Sequence, residues 1–228
     1  MQARGPKRSN PERSQATRQA LVAAARGLFV EAGFAGTSTP AVVAAASVTR
    51  GALYHHFRDK LDLLRAVLEQ EARAVAADIE AATPADMPPR QALLAGAAAY
   101  LAAMQVPGRT RLLLIEGPGV IGLAAMRALD AAHAERTLAE GLAAVLANED
   151  AQKHDVGKAE MPRPALAVGP LTVLLSAAFD RTALAIVAGE DAAAFQSTLF
   201  GMLERILGFE RSVDGEQQEG STRRLKRG

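Results

Sequence analysis

Apolar residues recur along most of the chain at three- and four-residue spacing, the period of a single helix face. From about Ser14 to Ala32 the stripe is Leu21, Ala25, Leu28, Phe29 and Ala32, and Gly33 stands where a helix ends. After a linker, Phe34 to Ser38, Thr39 reads as an N-cap ahead of Pro40, because proline at the first helical position gives up no hydrogen bond. The pattern predicts a short second helix, Pro40 to Ala46, a turn at Ser47 and Val48, and a third helix capped by Thr49 that runs to about Phe57. Two short helices around a tight turn, behind a longer one, form a helix-turn-helix arrangement. A fourth helix is predicted from about Arg58 to Ala82. Leu61, Leu64, Leu68, Ala72, Val75 and Ile79 form its buried stripe, and Pro84, Pro88 and Pro89 stop it.

Beyond that point the pattern predicts a helix from Arg90 to Gln105 and a short one from Thr110 to Glu116, broken by Gly117, Pro118 and Gly119. A long helix follows to about Asn148, and then a polar loop from Ala151 to Pro164. The last two helices, Ala165 to Ala188 and Asp191 to Leu207, carry two stripes: Leu171, Leu174, Leu175, Ala178, Thr182 and Ala185, then Phe195, Leu199, Met202, Leu203 and Ile206. The expected fold is all-α with about nine helices. It divides into a basic disordered arm (1–13), a three-helix head (14–60), a linking helix (61–84), a larger helical body (85–210) and a disordered tail (211–228).

Composition agrees with that picture. Hydrophobic residues are 49% of the 228, enough for a sizeable core, and they are mostly Ala, Leu and Val with no Trp. Alanine is the best helix former. The absence of cysteine excludes disulfides and thiolate metal sites. Charge is segregated: residues 1–60 carry nine Lys/Arg against three Asp/Glu, whereas 61–220 carry thirteen against twenty-two. A basic head on an acidic body points to a polyanion at one end. The basic N-terminus lacks the apolar core of a secretory signal, and no run of about 18 uncharged apolar residues marks a membrane span. A cytoplasmic location without membrane association is therefore expected. No P-loop, GxGxxG, GxSxG or HExxH pattern occurs, so an enzyme reading has no residues to rest on. No cofactor is expected.

The chemistry concentrates in Val48-Thr49-Arg50-Gly51-Ala52-Leu53-Tyr54-His55-His56-Phe57-Arg58-Asp59-Lys60. Leu53 and Phe57, four apart, face a core and leave Thr49, Arg50, Ala52, Tyr54, His55 and His56 on outward or flanking faces. Gly51 allows close approach to a groove wall. Thr49 and Tyr54 can donate hydroxyls to phosphate, Arg50 can read guanine or grip phosphate, and Lys60 is placed for a second phosphate contact. Adjacent His55 and His56 point about 100° apart on a helix and cannot chelate a metal together. Asp130, His133 and Arg136 form a polar stripe on one face of the long helix.

This segment resembles the signature of the TetR (tetracycline repressor) family. The resemblance extends upstream through Leu21, Ala24-Ala25, Leu28-Phe29, Gly33-Phe34 and Thr37-Ser38, and more weakly to the stretch Leu112 to Gly122. It implies a homodimer formed by the last two helices, a repressor bound to a pseudo-palindromic double-stranded DNA operator, and a small-molecule effector that releases it. The DNA-facing set would be Thr39, Thr49, Arg50, Gly51, Ala52, Tyr54, His55, His56 and Lys60. The effector would lie in the body near Tyr100, Met104, Met126, His133 and Phe179. With few aromatics there, Leu, Met and Ala should line the site and favour a hydrophobic or amphipathic molecule. Two departures stand out: Ser47 occupies a turn position where the family has glycine, and Ala44 and Ala45 replace polar residues. Ser47 is expected to carry a positive φ at a cost of about 1 kcal/mol. The alternative these departures favour is a small-molecule-binding α-helical carrier or sensor with weakened DNA binding.

Overall fold

The structure is a computed structural model and describes residues 9–155 and 166–208. Helix α1 (Asn10–Gly36) starts earlier than the apolar stripe implies, so residues 10–13 of the expected arm are helical. The cause is a capping box. Ser9 Oγ accepts from the Glu12 N–H, Glu12 Oε2 accepts from the Ser9 N–H at 2.6 Å, and Pro11 sits in the first turn. Residues 1–8 and 209–228, and with them the rest of the arm and the whole tail, lie outside the described residues, as do 156–165 of the expected polar loop.

Gly33 does not end α1; it kinks it, with φ 71°. Helix α2 (Thr39–Ala45) is capped by Ser38 rather than Thr39, through the Ala41 N–H at 3.3 Å. Helix α3 (Arg50–His56) is capped by Thr49, which accepts from the Ala52 N–H at 3.1 Å. Between them Ser47 has φ 53°, the strained turn conformation expected there. Helix α4 (Lys60–Ala82) begins behind an Asp59 cap. Its inward face runs through Leu63, Leu64, Val67 and Leu68; Leu61 lies at the edge, and Glu71 is buried within the stripe. Leu21, Val22, Ala25 and Phe29 of α1, Val42 of α2, and Leu53 and Phe57 of the α3 region close on α4 in one continuous core.

Helix α5 (Pro89–Met104) packs along α4. The next segment is not broken at Gly117-Pro118-Gly119 as expected. Helix α6 (Arg109–Arg111) leads into a π-helical turn (Leu112–Glu116) and directly into α7 (Gly117–Ile121). Pro118 falls in the first turn of α7, where it costs no hydrogen bond, and the true break is Gly122, with φ 87°. The expected long helix divides at His133 into α8 (Leu123–Ala132) and α9 (Ala134–Asp155), and α9 runs into the expected loop. Helices α10 (Val168–Val187) and α11 (Ala192–Ile206, capped by Asp191) complete a body in which α4, α5, α9 and α10 enclose the core. Although Asp180 and Arg181 interrupt its uncharged run, as the sequence implies, α10 is by length and composition alone apolar enough to cross a membrane. It owes that to two apolar faces. Leu171, Leu175 and Phe179 are buried, while Val173, Leu174 (69% exposed) and Val187 face outward.

Candidate nucleic-acid interface and body cavity

The turn between α2 and α3 places the expected residues on one outer surface. Thr49, Arg50, Gly51, Tyr54 and His55 are exposed; Ala52, His56 and Thr39 are partly covered. Arg50 lies over the Tyr54 ring at 5.5 Å, and hydrogen bonding from Thr39 and then Arg50 holds the Tyr54 phenol below its ordinary range. The pair is thus a preset donor fork. A side chain at Gly51 would meet only Thr49 Oγ1 at 3.9 Å, so nothing within the chain requires glycine there. Glycine in an exposed helix costs about 0.8–1 kcal/mol relative to alanine.

His55 and His56 meet edge to face at 5.1 Å and share no ligand geometry. Burial, then His55 and Arg18, lower the His56 pKa from its ordinary value. Arg18 was not anticipated: it stands over the Phe57 ring at 5.2 Å and adds a cation from α1 to the same surface. Lys60 departs from its expected role. Its Nζ donates to Phe34 O at 2.7 Å and Thr37 O at 2.8 Å and rests on the Phe34 ring. Those carbonyls follow the α1 kink at the end of the helix, where Phe34 O also accepts from the Thr37 N–H, so the ammonium ties α4 to the end of α1.

Behind this face a polar junction joins head to body. Glu71, 3% exposed, accepts from Arg26 Nε at 2.8 Å and Arg109 Nε at 3.1 Å. Burial pushes its carboxyl up, but the two guanidinium groups outweigh that and hold it below the usual range. Arg111 donates to Val30 O and to Glu116, whose other oxygen accepts from the Phe34 N–H at 3.2 Å. A Cβ on Gly33 would press on that same Glu116 carboxylate, and one on Gly108 would clash with Val30.

The body holds two cavities, of about 460 Å³ and 260 Å³. Tyr100 lines both, Phe179 the larger, and Met104 and Met126 the smaller. His133 lines neither. Its Nε2 lies 3.1 Å from Glu69 because the ring sits at the α8–α9 break and turns toward α4. Arg136 of the same expected stripe pairs with Glu80 and Glu140. Asp130 does reach the cavities, and with it come Ser176 and Asp180, which the sequence reading missed. The available signal was the adjacent charge pair Asp180-Arg181 inside a mostly apolar helix.

Residues 21–67 match the family described as "Bacterial regulatory proteins, tetR family". A solved TetR-family transcriptional regulator from Pectobacterium atrosepticum is 30% identical. The likeness covers 88% of this chain and 96% of that one, with a TM-score of 0.60. The chain belongs to the TetR family. TetR-family members are DNA-binding transcriptional regulators, and the head matches best. The Tn10 TetC protein of Escherichia coli is 43% identical over 65 residues, 28% of this chain and 33% of that protein. CymR, an HTH-type regulator of Pseudomonas putida, is 46% identical over 63 residues, 28% of this chain and 31% of its own length. The chain thus spans about a third of the length of these curated relatives.

Proposed function

We propose that the protein is a homodimeric repressor, released from a pseudo-palindromic operator by a small hydrophobic or amphipathic molecule bound in the body. Residues 14–60 are the DNA-binding unit, α4 is the link, and 85–210 bind the effector and the second subunit. Helix α3 enters the major groove: Arg50 reads a base, Thr49, Tyr54, His55 and Arg18 engage the backbone, and Gly51 lets the helix sit close. The observation that carries the effector part is the junction. The chain segment that closes the smaller cavity, through Leu113, Leu114 and Pro118, also grips α1 through Arg111 and Glu116. Filling the cavity therefore displaces the groups that set the angle of the head.

Dimerisation is assigned to the outward faces of α10 and α11. Leu174, Phe195, Met202 and Ile206 are exposed there, whereas Leu199 and Leu203 are buried in the subunit's own core. A charge at Met202 is expected to give monomers by light scattering with the fold intact by circular dichroism. An unchanged dimer would move the interface elsewhere.

Selection of bound sequences from random DNA, followed by anisotropy, tests the reading. Arg50→Ala is expected to weaken operator binding by about 1–3 kcal/mol and relax one position per half-site. No sequence preference in the wild type would favour the carrier alternative. Once an effector is identified, operator DNA must weaken its binding by the factor by which the effector weakens operator binding. Equal effector affinity in titrations with and without operator would refute release.

A further inference from the structure

The two body cavities share a wall built from α5, α8 and α10. Tyr100 and Asp130 line both, Ser176 the larger and Asp180 the smaller. Asp180 accepts from the Tyr100 hydroxyl at 2.5 Å and Asp130 from the Ser176 hydroxyl at 3.2 Å, both neutral donors. Among the described residues no Lys, Arg or His forms an ion pair with either carboxylate. Of the cations nearby in sequence, His133 pairs with Glu69 and Arg136 with Glu80 and Glu140, while Arg127, on the rim of the smaller cavity, and Arg181 are exposed to solvent and make no ion pair with either carboxylate. The larger cavity has no cationic side chain in its lining, and four of its lining residues are Asp or Glu. Its remaining wall is mostly apolar, with Ile79, Leu93, Ala97, Leu138 and Phe179, and carries the hydroxyls of Thr83 and Thr137.

A covered carboxylate without a cation is costly unless something neutralises it. Burial, and then repulsion from Asp180, push Asp130 up to about 6, so at neutral pH it is still mostly charged. Burial also raises Asp180, against the opposing bond from Tyr100. A carboxylate ligand would add a third negative charge to this wall, and a neutral one would cover the pair without neutralising it. An apolar chamber next to an unpaired anionic wall suits one chemistry.

We propose that the paired cavity recognises an amphipathic organic monocation, with its charge against Asp130 and Asp180 and its apolar body in the larger chamber. This rests on the reading of the cavity as the effector site and narrows it. Three probes with one hydrocarbon body separate the charge from the shape: 4-phenylbutylamine, 4-phenylbutan-1-ol and 4-phenylbutyrate, each titrated calorimetrically into the full-length protein at pH 7.5. The amine is expected to bind at least tenfold tighter than the alcohol, and the carboxylate weakest. Asp130→Asn and Asp180→Asn, each checked for fold by circular dichroism, are expected to lose at least tenfold for the amine and nothing for the alcohol. Amine affinity should also fall as pH drops from 7.5 to 5 and Asp130 takes up a proton. The groups facing Asp130 are Asp180, Glu135, Ser176 and Tyr100, with exposed Arg127 on the smaller cavity.

Equal binding of alcohol and amine, tighter binding of the carboxylate, or binding of none of the three overturns the inference. Operator anisotropy in the presence of each probe keeps the two readings apart. If alcohol and amine bind equally and both release DNA, the monocation assignment falls and the effector site stands. If the amine binds as expected and operator affinity is unchanged, the monocation site stands and its role as effector site falls.

Discussion

Two carboxylate sites in the same protein, one buried and one half-buried, are treated in opposite ways. Glu71, at the junction of head and body, lies between two guanidinium groups and is held below the ordinary carboxylate range. Asp130 and Asp180, one layer further into the body, have a hydroxyl each and one another, and both are raised. Burial opposes ionisation at both sites. What differs is whether the chain supplies the counter-charge. Where it does, the group joins elements that must keep their relative positions; where it does not, the group is left to something that comes and goes.

Removing the neutralised site should have the largest effect. Glu71→Ala leaves Arg109, 7% exposed, without its principal partner, and is expected to lower unfolding free energy by about 3–5 kcal/mol in urea titrations. A loss below about 1 kcal/mol would mean that the junction carries no strain from its charges. At the other site the sign reverses. Asp130→Asn keeps the acceptor for Ser176 and removes the unpaired charge, so the ligand-free protein should gain on the order of 1–3 kcal/mol at pH 7.5.

The same contrast appears in pH. Asp130 titrates higher in the folded chain, near 6, than in the unfolded chain, so the penalty of its charge is full above that value and fades as pH falls toward 5. Glu71 titrates lower when folded, so its contribution is present throughout that interval and is lost only at more acid pH, as pH falls below the ordinary carboxylate range and through its folded value. Melting temperature should therefore rise slightly from pH 7.5 to 5 in the wild type, a rise that Asp130→Asn diminishes, Asp180 supplying what is left. Lys60→Met tests a cation held by two neutral carbonyls and the Phe34 ring, and roughly 1–2 kcal/mol of stability should go with it. The smallest effect is expected at Gly51. Gly51→Ala should stabilise the fold by about 0.5–1 kcal/mol while weakening operator binding, since no intrachain contact opposes the methyl group.

The all-α class, the order of the main helices and the outward set on α3 were legible because they depend on local periodicity and capping. Ser47 was legible down to its backbone conformation. The first turn of α1 was missed because Pro11 and the surrounding polar residues resemble a disordered arm, although Ser9 and Glu12 spelled a capping box. Gly117-Pro118-Gly119 resembled a break because glycine and proline interrupt most helices, yet here a neighbouring helical turn supplies the geometry that proline needs. The cavity was only half legible. Tyr100, Met104, Met126 and Phe179, which the family resemblance places in the body, do line the cavities, but Asp180, Glu71 and Arg109 acquire meaning only from partners 31 or more residues away that no local pattern reveals.

The π-helical turn at Leu112–Glu116 is, in effect, a helix carrying one residue too many. Each residue advances a helix by about 100°, so the surplus residue rotates everything beyond it by that angle relative to what precedes it. Arg111 before the turn and Glu116 at its end are thereby brought onto the same flank, where one holds Val30 and the other Phe34. Deleting a single leucine from Leu112-Leu113-Leu114 would restore ordinary winding and put the two out of phase. The head would lose one of its two handholds without any change in composition, charge or hydrophobicity that an alignment would register as drastic.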